Sequence, residues 1–143
     1  METKICLDTD FLVNFLRNKE PEVTFIKNHE VGKELATTLI NLFELYHGAY
    51  KSEKSEKNLK SISLLRNRIT LLNFSEESVR NAGQQFASLE KKGKKIDFRD
   101  LFIGTISSEH NFALKTYNKK DFSRIKGLRF FEEEAGSSNG QST

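Results

Sequence analysis

Tryptophan is absent from this chain, and cysteine and proline occur once each. A single cysteine excludes an internal disulfide framework and points to a reducing compartment, the cytoplasm. One proline and 8 glycines exclude a collagen-like or low-complexity chain. No apolar run approaches the roughly 20 residues of a membrane-spanning helix, so no membrane partner is expected. Residues 1–15 lack a basic segment ahead of an apolar stretch and small-residue cleavage site, the layout of a secretion signal. There is no Walker- or Rossmann-type glycine loop. The three histidines, His29, His47 and His110, are scattered without metal-ligand spacing.

What remains is a chain of 143 residues, 36% hydrophobic and 30% charged. That length suits one domain with its own core. The net charge of +3 is modest, but it is unevenly spread. Residues 51–95 hold eleven Lys/Arg against five Asp/Glu, and the rest of the chain twelve against fifteen. A basic middle between acidic flanks fits an anionic partner, and equally a solvated helical face.

Strand and helix patterns alternate. Lys4–Leu7 reads as a strand running into Asp8-Thr9-Asp10, and Phe11, Leu12, Phe15 and Leu16 follow at helical spacing. Pro21 suits the first turn of a helix reaching about His29. Glu34–Thr38 is a short strand, and Leu39, Leu42, Phe43, Tyr46 and Ala49 form a helical stripe. Lys51–Arg68 continues as polar helix, in which Lys51–Lys57 is either exposed helix or the joint of a hairpin. Ile69–Phe74 is a strand candidate, and Ser75 followed by two glutamates opens a helix that stops at Gly93. Asp97 suits the cap of the next helix; strands at Phe112–Thr116 and Leu128–Phe131 follow. This order predicts a three-layer α/β/α fold around a central parallel sheet of about five strands. Residues 1–133 form the domain, and 134–143 read as a disordered polar tail.

A few acids stand outside the mixed-sign polar runs. Asp8 ends a buried-looking strand, where it could also simply cap the next helix. Glu44 lies in an apolar helix, Asp97 and Asp100 open another, and Asp121 follows the fourth strand beside Asn118. Ligands of open α/β sheets bind beyond the carboxyl ends of the strands, so one crevice could gather all of these. Clustered carboxylates repel unless a cation lies between them. Oxygen ligands without Cys or His select a hard ion, Mg²⁺ or Mn²⁺. That ion with phosphate oxygens serves phosphodiester cleavage by an activated water.

Four segments carry a family resemblance. Ile5-Cys6-Leu7-Asp8-Thr9-Asp10-Phe11-Leu12-Val13 resembles the opening of the PIN domain, specifically of VapC-type toxin nucleases. Thr37 to Gly48, with Glu44 four positions before the glycine, is similar to the second motif. Ile96 to Gly104 resembles the third, and Leu114 to Phe122 the fourth. The resemblance spans residues 4 to about 131, with the motifs in order. It implies that Asp8, Glu44 and Asp100 are metal-site acids, with Thr9 and Thr116 supporting them. Many members carry Asp where Asn118 stands. Asp121 could supply the missing charge, or Asn118 could ligate through its carbonyl, and Asp97 would stand behind as a supporting acid.

The resemblance further implies a metal-dependent endoribonuclease acting on RNA, including structured RNA such as tRNA. It implies a homodimer and a small VapB-like antitoxin. Arg17, Lys51, Lys54, Lys57, Arg66 and Arg99 are candidates for holding RNA phosphates by position. Two rival readings stay open at this point. Asp8-x-Asp10 after a strand also resembles a haloacid-dehalogenase-type phosphatase with Asp8 as nucleophile. The uncharged Asn118 leaves room for an inactive RNA-binding PIN-like module.

Overall fold

The computed structural model describes residues 2–133; the tail assigned to residues 134–143 lies outside the described residues. Strand β1 (Lys4–Leu7) alternates its side chains between two cores. Ile5 and Leu7 enter one, and Cys6 enters the other. Such a strand is covered on both faces, which explains its continuous apolar run. β2 (Glu34–Thr38) and β3 (Thr70–Leu72) extend the sheet to one side of β1, and β4 (Ala113–Lys115) pairs on the other. The order is β3-β2-β1-β4, all parallel. The direction of strand addition reverses at β1, so a crevice opens above the carboxyl ends of β1 and β4.

One face is covered by α1 (Thr9–Leu16), α2 (Glu22–His29), α3 (Leu39–Lys51) and α4 (Ser55–Arg66), through residues such as Phe11, Phe25, Leu45 and Ile62. The other is covered by α5 (Glu76–Lys91) and α6 (Phe98–Glu109), through Ala82, Leu101, Ile103 and Ile106. A short α7 (Lys119–Phe122) follows β4 and packs Phe122 into that second core. The three-layer α/β/α expectation holds. Cys6 is fully buried and its thiol is pushed up to about 12 by that burial, as suits a small core residue.

The sheet has four strands, not about five. Leu128–Phe131 meets the sheet at a single bridge, Leu114 to Phe130. Leu114 N–H donates to Arg129 O at 2.8 Å, and Phe131 N–H donates to Leu114 O at 2.9 Å. β4 stops at Lys115 because Thr116 turns toward Asp8, so only Leu114 is left to pair on that edge.

Lys51–Lys57 is the joint of a hairpin. Ser52 leaves the helix with extended backbone, its hydroxyl accepts from Lys54 N–H at 3.0 Å, and Ser55 Oγ donates back to Ser52 O at 2.8 Å. Gly93, at φ +70°, ends α5 as expected. Gly93 N–H donates to Glu90 O and Lys94 N–H to Leu89 O, the paired bonds of a left-handed helix stop. Among the described residues no helix is long and apolar enough to cross a membrane.

Candidate active site at the carboxyl edge of the sheet

Asp8 sits where β1 gives way to α1 and is only 5% exposed. It is the N-cap of α1, with Oδ1 accepting from Thr9 N–H at 2.8 Å. Capping does not exhaust it. Oδ1 also accepts from Asn41 Nδ2 at 3.1 Å, and Oδ2 accepts from Thr116 Oγ1 at 2.7 Å. A carboxylate oxygen has two acceptor positions, so Oδ1 is filled and Oδ2 keeps one for a ligand. Burial raises the Asp8 pKa, and these hydrogen bonds pull it back.

Asn41 is the residue that sequence reasoning missed. It is fully buried and binds four ways. Its Nδ2 donates to Asp8 Oδ1 and, at 2.9 Å, to Thr9 Oγ1. Its Oδ1 accepts from Thr38 Oγ1 at 2.7 Å and from Thr38 N–H at 3.2 Å. Thr38 and Asn41 form the reciprocal cap of α3. The available signal was the Thr38-x-x-Asn41 spacing, with Glu44 a further three residues on and hence on the same helical face.

Thr9 Oγ1 donates to Glu44 Oε1 at 2.5 Å, so Thr9 links the first and second motif acids, its N–H on Asp8 and its hydroxyl on Glu44. Asp100 opens α6, half-buried, and its side chain takes no hydrogen bond among the described residues. Its pKa is pushed up to about 6, first by burial and then by the charges of Asp97, Asp8, Asp121 and Glu44. The five acids therefore share one electrostatic neighbourhood. Asp97 caps α6 through Arg99 N–H at 2.8 Å and is held low by the Arg99 side chain. Arg99 also reaches Glu44 Oε2 at 3.6 Å and so bridges two acids at the rim. Asp121 is exposed on α7. Asn118 is exposed too, its N–H donating to Thr116 Oγ1 at 3.0 Å.

The loop carrying Thr116 and Asn118 is anchored from below. Tyr117 donates its hydroxyl to Glu22 Oε2, which also accepts from Asn14 Nδ2 at 2.9 Å. Glu22 is 2% exposed, although its surroundings read as an ordinary helix start. Of the basic candidates, Arg17 shares a cavity of about 190 Å³ with Glu44, between α1 and the α3–α4 hairpin. Lys51, Lys54 and Lys57 lie at the hairpin joint and Arg66 at the end of α4, all outside that lining.

The donor set suits a hard cation: carboxylate oxygens, no Cys or His, and an acid pushed up by burial and then by its neighbours' charge. Among the described residues, no three of these side chains already close round an ion.

A PIN domain family model matches residues 5–128. The chain is 30% identical over 126 residues to Ribonuclease VapC2 of Haemophilus influenzae, covering 88% of this chain and 95% of that one. It is equally similar, with the same coverage, to the tRNA(fMet)-specific endonuclease VapC of Shigella flexneri. Among solved structures, VapBC2 from Rickettsia felis bound to a promoter DNA fragment matches with TM-score 0.81 and 27% identity, covering 89% of this chain and 96% of that one. VapBC-1 from nontypeable Haemophilus influenzae matches with TM-score 0.78 and 28% identity, covering 90% and 96%. The match decides against the phosphatase reading of Asp8-x-Asp10; Asp10 is exposed and takes no part in the hydrogen bonds around Asp8. Motif order, fold and relatives agree, and the chain belongs to the PIN-domain family, among the VapC ribonucleases.

Proposed function

We propose that this protein is a metal-dependent endoribonuclease, the toxin of a VapBC-type pair, acting as a homodimer and silenced by a small VapB-like antitoxin. The observation that carries the mechanism is the buried Asp8, locked by three donors with one acceptor position left on Oδ2. Asp8, Glu44 and Asp100 would hold Mg²⁺ or Mn²⁺, with Asp121 or Asn118 completing the set. When bound, the cation would lower the pKa of a water and neutralise charge developing on the scissile phosphate. Thr116 and Asn41 fix the direction in which Asp8 presents its free lone pair. Thr9 holds Glu44 at a set distance from Asp8. Asp97 and Arg99 brace the rim, and Arg17 is placed beside Glu44 to meet a phosphate. Lys51, Lys54, Lys57 and Arg66 add positive potential along the hairpin. The Shigella relative's specificity makes tRNA the first substrate to test.

The test is cleavage of tRNA and of single-stranded RNA with Mg²⁺ or Mn²⁺, with chelator, and with Asp8→Asn. Asn can keep the bonds from Thr9 and Asn41 through its carbonyl while the Thr116 hydroxyl turns to accept, so the variant should fold. Metal-dependent cleavage that falls by roughly a thousandfold in Asp8→Asn is expected, several kcal/mol of lost transition-state stabilisation. Cleavage that persists in chelator, or in Asp8→Asn at the wild-type rate, overturns the assignment.

A further inference from the structure

A second concave surface lies outside the acidic crevice. It is a cavity of about 440 Å³ between α5 and the segment that follows α7. Lys92 and Lys94 enter it from the end of α5, and Arg124 and Lys126 from the segment after α7. No carboxylate lines it. Among the described residues none of these four cations is in an ion pair. The remaining wall is uncharged, with polar Gln84 and Ser88 beside apolar Leu89. Four cations with no carboxylate among them give this concavity a positive potential that attracts anions.

The wall is held in place. Gln85, 8% exposed, accepts from Lys126 N–H at 2.8 Å and donates to Lys126 O at 3.2 Å. That two-way bond fixes the Lys126 backbone against α5. Arg124 donates to Lys95 O, joining the post-α7 segment to the connector before α6. The same two segments build the acidic crevice: Asp121 lies three residues before Arg124, and Asp97 two residues after Lys95. The two sites are therefore built on the same two stretches of chain.

We propose that this basic cavity is a phosphate-binding subsite for the RNA strand, gripping backbone phosphates beyond the scissile one. The inference rests on the endoribonuclease reading. The acids around Asp8 repel RNA, so cations outside the crevice must hold the flanking phosphates. Lys94 and Lys126 are far apart in sequence, and the Gln85 clamp on Lys126 together with the Arg124 bond to Lys95 O holds their segments side by side.

The test compares two variants of equal charge change. One is Lys94→Gln with Lys126→Gln. The other is Lys19→Gln with Lys27→Gln, exposed lysines borne by the α1–α2 connection and α2, on the opposite face of the sheet. Binding of fluorescent single-stranded RNA is measured in chelator across a salt series. Cleavage of the same RNA, and of a dinucleotide too short to reach the cavity, is measured with Mn²⁺. The cavity pair is expected to weaken RNA binding roughly tenfold and to lower the log–log salt slope by roughly 1.4. Its KM for the long RNA should rise at unchanged kcat, with dinucleotide cleavage unaffected. Unchanged affinity and slope, or the same loss in the control pair, overturns the subsite. So does a variant that keeps RNA binding but loses a co-expressed antitoxin, since the cavity would then be a protein-docking site. If the wild type cleaves no RNA, the function proposed above fails, while the binding series still decides the subsite.

Discussion

Asn41→Asp is the sharpest probe of the arrangement around Asp8. The change is nearly isosteric, but it replaces the Nδ2 that donates to Asp8 at 3.1 Å and to Thr9 at 2.9 Å with an oxygen. The bond to the Asp8 carboxylate is charge-assisted, worth about 1.5–3 kcal/mol. In its place stand two carboxylates at near-contact distance. Their repulsion at an effective dielectric near 20 is about 4 kcal/mol. Uptake of one proton by the pair limits that cost, at about 1.4 kcal/mol for each pH unit needed. At pH 8 in chelator the net loss should be about 4 kcal/mol, or roughly 10–15 °C in Tm for a chain of this size. The sign with pH follows from linkage. An acid whose folded pKa lies above its unfolded value destabilises the fold once pH exceeds the unfolded value, and the penalty grows until pH passes the folded one. The variant should thus recover toward wild type as pH falls from 8 to 5. Thermal denaturation by circular dichroism over that range, in chelator, reads the effect. A variant as stable as wild type at pH 8, or one whose deficit does not shrink on acidification, would refute the role given to Asn41. Saturating Mn²⁺ should narrow the deficit at pH 8, because a cation offsets the added charge.

Three further perturbations probe other parts of the molecule. Thr116→Val removes a buried 2.7 Å bond to Asp8 Oδ2 and the acceptor for Asn118 N–H, and should cost about 1.5–3 kcal/mol in denaturant unfolding together with a fall in kcat. Asp100, pushed up to about 6, is protonated below that pH, so Mn²⁺ affinity measured by calorimetry should fall as pH drops through about 6; a flat profile between pH 5 and 7 would contradict the crowding of charge described above. Gly104→Ala would place a methyl group against Ile125 Cδ1 in the second core, costing about 1–3 kcal/mol of overpacking, and Ile125→Val should restore much of the loss by removing that atom.

Much of the site was legible in the chain because each acid carries a local anomaly. Asp8 ends an apolar strand, Glu44 interrupts an apolar helix, and Asp100 follows a cap residue. Asn41 carries none: a polar residue in the first turn of a helix is ordinary, and its clamp on Asp8 exists only once β1 and α3 are side by side. Arg99 reads as a free cation near the third motif, yet it spans Asp97 and Glu44, a partner 55 positions away. The expected fifth strand has the right composition, and its pairing failed for want of length in β4, a property of its neighbour.

By itself, the order of residues determined the alternation of strands and helices, the capping of α5 by Ser75 and its stop at Gly93, and which acids lie at strand and helix ends. These follow from periodicity, capping and backbone preference, all of which act over a few residues. The tertiary structure alone decided that Thr9, Asn41 and Thr116 converge on Asp8, that Glu22 anchors Tyr117 beneath the site, and that Lys94 and Lys126, the latter clamped by Gln85, line one cavity. Those are pairings between distant segments, set by the strand order β3-β2-β1-β4 and by burial that makes an unmet hydrogen bond costly.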